Sequence, residues 1–249
     1  MRLLTFSFLK NCKFKSILYG VPRRLRSDTA LPKIEDDKIK EETSLVEISP
    51  SWGDAPEHAA LRAAVLRDLH VTRDFVTEEE EAALMAELEP TLKRMRYEYD
   101  HWDNAIHGFR ETERSSWQPH NEAVWARVRG VFPRDMPLLA HAHVLDLAPA
   151  GHIKPHIDAV RFCGAALAGL CLQSAAIMRF QHEHHKHLQF DALLPRRGLY
   201  FMQGVVRYSF THAVLGGEGS AWRGARLVKK RRVAVICRAR PGGGSNTTT

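Results

Sequence analysis

The segment Lys154-Pro155-His156-Ile157-Asp158 pairs an imidazole with a carboxylate two positions away. If the segment is a β-strand, both side chains leave the same face, because strand side chains alternate sides. His156 and Asp158 can then converge on one point. A second imidazole brought to that point completes the two-histidine, one-carboxylate ligand set of non-haem Fe(II) oxygenases. An isolated His-x-Asp pair is common by chance, so its meaning depends on what the rest of the chain brings to it.

The chain holds 14 histidines, and they divide by context. His182, His184, His185 and His187 crowd between two strand-like runs, around Glu183 and Lys186. They read as a polar hairpin loop with at most adventitious metal affinity. His141 and His143 form a His-x-His on a strand, in the core or at its rim. His212 is the better second imidazole, in Tyr208-Ser209-Phe210-Thr211-His212-Ala213-Val214, a strand with aromatics at alternate positions.

Shortly after it comes Arg232-Val233-Ala234-Val235-Ile236-Cys237-Arg238. As a strand it puts Arg232, Ala234, Ile236 and Arg238 on one face and Val233, Val235 and Cys237 on the other. Two arginines on one face of an apolar strand either lie in solvent at an edge or, if buried, need an anionic partner. An Fe(II) oxygenase of this type supplies one in 2-oxoglutarate. One carboxylate and the keto oxygen chelate the iron, and the far carboxylate needs a buried cation of guanidinium geometry. Tyr200, on the strand before His212, can donate a phenolic hydrogen bond to the same carboxylate.

The elements that must position these residues are mainly β. Strand-like runs span 139–147, 153–158, 165–172, 176–181, 188–193, 199–204, 208–214 and 232–238, with turn signals between them. That number and spacing point to a sandwich or jelly-roll. Helices precede it. Leu61, Val65 and Leu69 recur at helical spacing, and Thr77-x-x-Glu80 is a capping box that opens a second helix, which Pro90 should kink or divide. The run Glu78 to Glu81 reads as an acidic first turn at the positive end of the helix dipole. Glu122 to Val131 reads as a third, short helix. The fold class is thus mainly β with N-terminal helices, α+β overall. Residues 51–137 form a helical support and 138–240 the β core.

The chain of 249 residues carries a formal charge of +7, but unevenly. Residues 1–27 hold seven basic residues and no acid; removing them leaves 29 basic against 29 acidic residues. A basic, acid-free stretch with Leu3, Leu4, Phe6, Phe8, Phe14 and Leu18 has the composition of a mitochondrial transit peptide. Residues 28–50 read as a disordered linker and 241–249 as a disordered tail. The four cysteines show no Cys-x-x-Cys spacing, which points to a reducing compartment rather than a disulfide framework. No apolar run reaches the roughly 18 to 20 residues of a membrane span.

The order His-x-Asp, Tyr, His and Arg-x5-Arg resembles the AlkB family of Fe(II)/2-oxoglutarate dioxygenases, and its mitochondrial branch most of all. The resemblance covers about residues 73–240. It rests on 96–103, 106–113, His143-Val144-Leu145-Asp146-Leu147, 153–158, Phe162-Cys163-Gly164-Ala165 and Val235-Ile236-Cys237-Arg238. It implies a double-stranded β-helix in which His156, Asp158 and His212 bind Fe(II). Arg232 would pair the distal carboxylate of 2-oxoglutarate with help from Tyr200, and Arg238 would lie towards its iron-bound end. The implied reaction consumes O2, converts 2-oxoglutarate to succinate and CO2, and hydroxylates a C–H bond; on an N-methyl group, formaldehyde would then leave. It also implies a monomer of the mitochondrial matrix with roles in fatty-acid metabolism and stress-induced programmed necrosis.

Departures from the family pattern bear on the substrate. Leu145 and Leu147 stand where base-repair members carry Asn and Tyr, and Ala234 stands where a polar residue is usual. A flipped base would need recognition from elsewhere. The expected substrate is therefore a protein side chain. The alternatives are methylated mitochondrial RNA, held by Arg223, Arg226, Lys229, Lys230 and Arg231, and a non-enzymatic matrix interaction protein on a relic fold.

Overall fold

The computed structural model describes residues 33–34, 44–99 and 105–242. The stretch 1–27 expected as a transit peptide, the end of the expected tail (243–249) and His101-Trp102-Asp103 fall outside the described residues. In chain order the strands are β1 (Lys33–Ile34), β2 (Val46–Ile48), β3 (Leu69–Thr72), β4 (Ile106–Arg114), β5 (Ala142–His156), β6 (Ala166–Leu172), β7 (Ala176–His182), β8 (Gln189–Leu194), β9 (Leu199–Gln203), β10 (Phe210–Val214), β11 (Ala221–Trp222), β12 (Ala225–Leu227) and β13 (Arg232–Arg238). The helices are α1 (Pro56–Asp68), α2 (Glu78–Leu92), α3 (Pro119–Arg129) and the six-residue α4 (Gly204–Ser209).

Ten strands form one curled sheet in the order β2-β8-β7-β10-β5-β13-β6-β9-β3, with β4 paired to β5. All of its pairings are antiparallel. The sheet curls because β5 belongs to both layers. Its first half pairs with β13, from His143 opposite Ile236 to Leu147 opposite Arg232; its second half pairs with β10, with His156 opposite His212. The two stretches expected at 139–147 and 153–158 are therefore one strand of 15 residues. Pro149 and Gly151 mimic a turn in the sequence, but they mark the passage between layers. There the backbone of Gly151 runs so close to the Gly108 carbonyl that a Cβ at 151 would collide with it.

Alternation sorts the sheet into an inner and an outer face. Leu145, Leu147, Leu167, Met178, Phe180, Phe190, Phe210, Ala234 and Ile236 meet between the layers. Val144, Leu170, Leu172, Val233, Val235 and Cys237 point outward, against Leu84, Leu88 and Leu92 of α2 and Val124 and Val128 of α3. A third cluster, Leu45, Ile177, Leu193, Trp222 and Leu227, closes the other outer face. The Arg232-to-Arg238 strand is split between the faces as its period of two requires.

Helix α2 opens on the expected box: Thr77 Oγ1 accepts from Glu80 N (3.1 Å) and Glu80 Oε2 from Thr77 N (3.0 Å). Such a cap contributes about 1 kcal/mol. Pro90 does not divide the helix, because it falls in the last turn and the helix ends at Leu92. The folded part begins before residue 51: Val46 to Ile48 pairs with β8, and Leu45 is buried. Nor is 51–137 purely helical, since β3 and β4 join the sheet. β4 is hard to read as a strand because its charges are internally paired. Arg110 binds Asp146 at 2.8 Å, Glu111 binds His143 at 2.8 Å, and Arg114 binds Glu87. Among the described residues no helix is long and apolar enough to cross a membrane.

Candidate metal and co-substrate site

The register that pairs β10 with β5 sets His212 directly opposite His156. Their rings lie 4.3 Å apart, centroid to centroid. Asp158 follows two residues on, with Oδ1 3.5 Å from His156 Nε2. One ligand atom from each of His156, Asp158 and His212 fits within 4.8 Å of the others, and this is the one such group of three or more His, Cys, Asp or Glu among the described residues. The carbonyl of Lys154, 2.9 Å from His156 Nδ1, accepts its proton and turns Nε2 towards Asp158. An outer partner of this kind fixes the tautomer a metal-binding histidine needs.

Electrostatics prepare the donors. Burial works to raise the Asp158 carboxyl. The hydrogen bond from His156, His212 once protonated in acid, and the Arg238 charge outweigh it, and hold the group well below the usual carboxylate range. Burial, reinforced by His156, pushes the His212 imidazole down to about 3. At neutral pH the site therefore presents a charged carboxylate and a neutral His212, the protonation states a divalent metal binds.

Behind these residues stands β13. Arg232 is 1% exposed; its Nη2 reaches Cys171 Sγ at 3.4 Å, and its Nε is buried with no partner. Among the described residues no carboxylate pairs with this guanidinium, and the distal end of 2-oxoglutarate would supply one. Tyr200 lies on the same pocket and is buried; burial raises its phenol above the ordinary range, so it stays an O–H donor. Arg238 is nearer the metal ligands, with Nε 3.9 Å from Asp158 Oδ2. The donor set and the unpaired cation fit iron and the co-substrate together.

Arg232, Ala234, Ile236 and Arg238 all line this pocket, as do His156, Asp158, His212 and Tyr200. Leu145 lines it too, whereas Leu147 is buried in the core between the layers. The remaining lining residues are Ile106, His143, Ile153, Leu167, Met178 and Val214. His143 is thus the one polar lining residue outside the metal and co-substrate groups. The sequence left it at core or rim; alternation from Leu145 and Leu147 carries it to the pocket face.

The other histidine-rich and basic segments lie elsewhere. His184, His185 and His187 are exposed in the β7–β8 connection. Arg231 is bound to Asp146 (2.7 Å) and Glu89 (3.0 Å), and Lys229 donates to the Gly151 carbonyl, so two of the five cations considered for RNA are engaged inside the fold.

A two-histidine, one-carboxylate centre at the mouth of a curled antiparallel jelly-roll, backed by an unpaired arginine, places the molecule among the Fe(II)- and 2-oxoglutarate-dependent dioxygenases. Comparison with known proteins narrows this. The chain is 47% identical over 180 residues to the mitochondrial alpha-ketoglutarate-dependent dioxygenase alkB homolog 7 of Mus musculus, covering 72% of this chain and 81% of that protein. It is 46% identical over the same length and shares to the Bos taurus counterpart. The chain belongs to this alkB homolog 7 family of mitochondrial dioxygenases, whose chemistry uses Fe(II), 2-oxoglutarate and O2. A Pseudomonas putida prolyl-4-hydroxylase shares the fold, with a TM-score of 0.53 at 14% identity, over 74% of this chain and 99% of that one. No family model matches the chain.

Proposed function

We propose that His156, Asp158 and His212 hold Fe(II), that Arg232 and Tyr200 receive the distal carboxylate of 2-oxoglutarate, and that Arg238 lies towards its iron-bound end. With both bound, O2 oxidises a substrate C–H bond to C–OH while 2-oxoglutarate becomes succinate and CO2. The protein's own part is placement. Lys154 O orients His156, Arg232 neutralises the dianion's far end, and the apolar wall of Ile106, Leu145, Ile153 and Val214 excludes water.

The preferred substrate is a protein side chain. The observation that carries this is the pocket wall. Leu145 and its apolar neighbours leave His143, itself bound to Glu111 through Nε2, as the single polar lining group outside the metal and co-substrate set, too few donors and acceptors to read the edge of a nucleobase. The engagement of Lys229 and Arg231 inside the fold weighs against phosphate tracking. A monomer as the working unit belongs to the same proposal. A matrix location, which the basic, acid-free stretch 1–27 also supports, and roles in fatty-acid metabolism and programmed necrosis, which rest on the family resemblance, belong to it too.

The test is succinate formation by the iron-loaded protein with a mitochondrial protein extract or with a mitochondrial small-RNA pool. Stimulation by the protein extract is expected. Stimulation by RNA alone would replace the reading with RNA demethylation, and no turnover of 2-oxoglutarate with either would favour an interaction protein.

A further inference from the structure

His212 and Asp158 reach the centre on different segments. β10, which bears His212, starts where α4 ends; Asp158 is the second residue of the loop 157–165 between β5 and β6. Arg207, in α4, joins them. It is 1% exposed, its Nη2 donates to the Cys163 carbonyl at 2.8 Å, and its Nε donates to the Gly164 carbonyl at 3.2 Å. Its Nη1 is buried with no partner, and no carboxylate pairs with it among the described residues. A buried cation without a counter-charge is a net cost to stability. What it provides that an apolar residue could not is a rigid fork that grips two backbone carbonyls.

The loop needs that grip. Val160 and Phe162, at its tip, are 64% and 58% exposed, so apolar packing leaves the tip unheld and reaches the loop at Cys163, which is buried in the core. Its other ties are the Asp158 carboxylate, 3.9 Å from Arg238 Nε, the local bonds of Phe162 N and Cys163 N to Ala159 O (2.9 and 3.1 Å), and Gly164 N to Ala239 O (2.8 Å) at its far end. The platform on which Arg207 stands is itself fixed. Val205 N donates to Asp68 Oδ2 at 2.8 Å, and Val206 is fully buried. Arg207 also lies within electrostatic reach of His212.

We propose that Arg207 is a positioning residue for the iron centre: it locks the loop that carries Asp158 onto the element that leads into His212, so that carboxylate and imidazole keep one geometry. This rests on the assignment of His156, Asp158 and His212 as the iron ligands.

The test is Mn(II) binding by the full chain, followed by electron paramagnetic resonance, with Co(II) absorption spectra to report ligand geometry. Arg207→Met should bind Mn(II) about ten-fold or more weakly, the usual scale for an outer-sphere support, and should alter the Co(II) spectrum. Arg207→Lys, which keeps a donor but loses the fork, should fall between it and the wild type. Leu88→Ala, fully buried against the outer face of the sheet, serves as a destabilised control and should leave affinity and spectrum unchanged at a temperature where circular dichroism shows it folded. Wild-type affinity and spectrum in Arg207→Met, or an equal loss in Leu88→Ala, would overturn the proposal. If Arg207→Met does not fold, Arg207→Lys decides, and an unchanged affinity and spectrum overturns it. Asp158→Ala separates the two layers of the argument: Mn(II) binding that survives it refutes the ligand assignment. Loss in Asp158→Ala with none in Arg207→Met refutes only the role of Arg207.

Discussion

Arg232 donates from Nη2 to a cysteine sulfur, Cys171 Sγ at 3.4 Å, while its Nε is buried with no partner. A thiol is a weak acceptor, so the ligand-free protein carries a poorly compensated buried charge. Arg232→Met should therefore raise the stability of the protein without 2-oxoglutarate by about 1–3 kcal/mol, the penalty of an unsatisfied buried group. It should also abolish the stabilisation that 2-oxoglutarate confers by binding the folded state. Arg232→Gln should weaken 2-oxoglutarate binding and leave Mn(II) bound. Thermal melts with and without the co-substrate test this; a 2-oxoglutarate shift that persists in Arg232→Met, or is undiminished in Arg232→Gln, places the anchor elsewhere.

The triad gives the plainest expectation. His156→Ala should abolish metal binding and 2-oxoglutarate turnover, because Nε2 is the donor that Lys154 O orients towards Asp158. Unchanged turnover would refute the metal assignment.

Gly169 touches the co-substrate pocket without lining it. A Cβ there would fall on Cε1, Cζ and the hydroxyl of Tyr200, so Gly169→Ala must displace the ring. The expected result is a several-fold loss of 2-oxoglutarate affinity, of the order of one hydrogen bond, matched by Tyr200→Phe, with Mn(II) affinity intact. Titration of 2-oxoglutarate into the Mn(II) protein measures it. Full affinity in Gly169→Ala alongside a loss in Tyr200→Phe would show that the phenol reaches its partner from a shifted ring.

His143 should govern substrate rather than co-substrate. Its Nε2 meets Glu111 Oε2 at 2.8 Å, and its Nδ1 is buried with no partner. His143→Leu should keep Mn(II) and 2-oxoglutarate affinities and lose the stimulation of succinate formation by added protein extract. A fall in 2-oxoglutarate affinity instead would make His143 part of the co-substrate site.

Lys229 provides a pH signature. Burial, and then the Arg232 charge, pushes its ammonium down to about 8 from an ordinary 10.5. Between those values the unfolded chain holds the proton more tightly than the folded one, so stability gains with rising pH. Relative to Lys229→Met, the wild type should gain stability from pH 8 towards 10.5 and show a constant deficit below 8. Parallel denaturant curves at pH 7, 8, 9 and 10 check it; a constant difference throughout would show that the lysine titrates normally.

Much of the site is legible in the sequence because it depends on a period of two. Once 232–238 is a strand, alternation alone sends Arg232 and Arg238 one way and Val233 and Cys237 the other, and the pocket and the outer core divide them so. Arg207 is illegible for the opposite reason: its partners are the carbonyls of Cys163 and Gly164, which every residue possesses and no pattern marks. β4 hides because Arg110, Glu111 and Arg114 break its alternation while finding partners 36, 32 and 27 residues away. The single long β5 hides because Pro149 and Gly151 look like punctuation.

The sharing of β5 between layers has a consequence for how such an enzyme changes its target. Ile106, His143 and Leu145 stand on β4 and the first half of β5, while His212, Tyr200 and Arg232 come from β10, β9 and β13. His156 alone of the proposed metal and co-substrate groups shares β5 with them. On the proposed reading of the site, an exchange of those three wall side chains would redirect the same chemistry, with the burner left alight while the vessel above it is replaced.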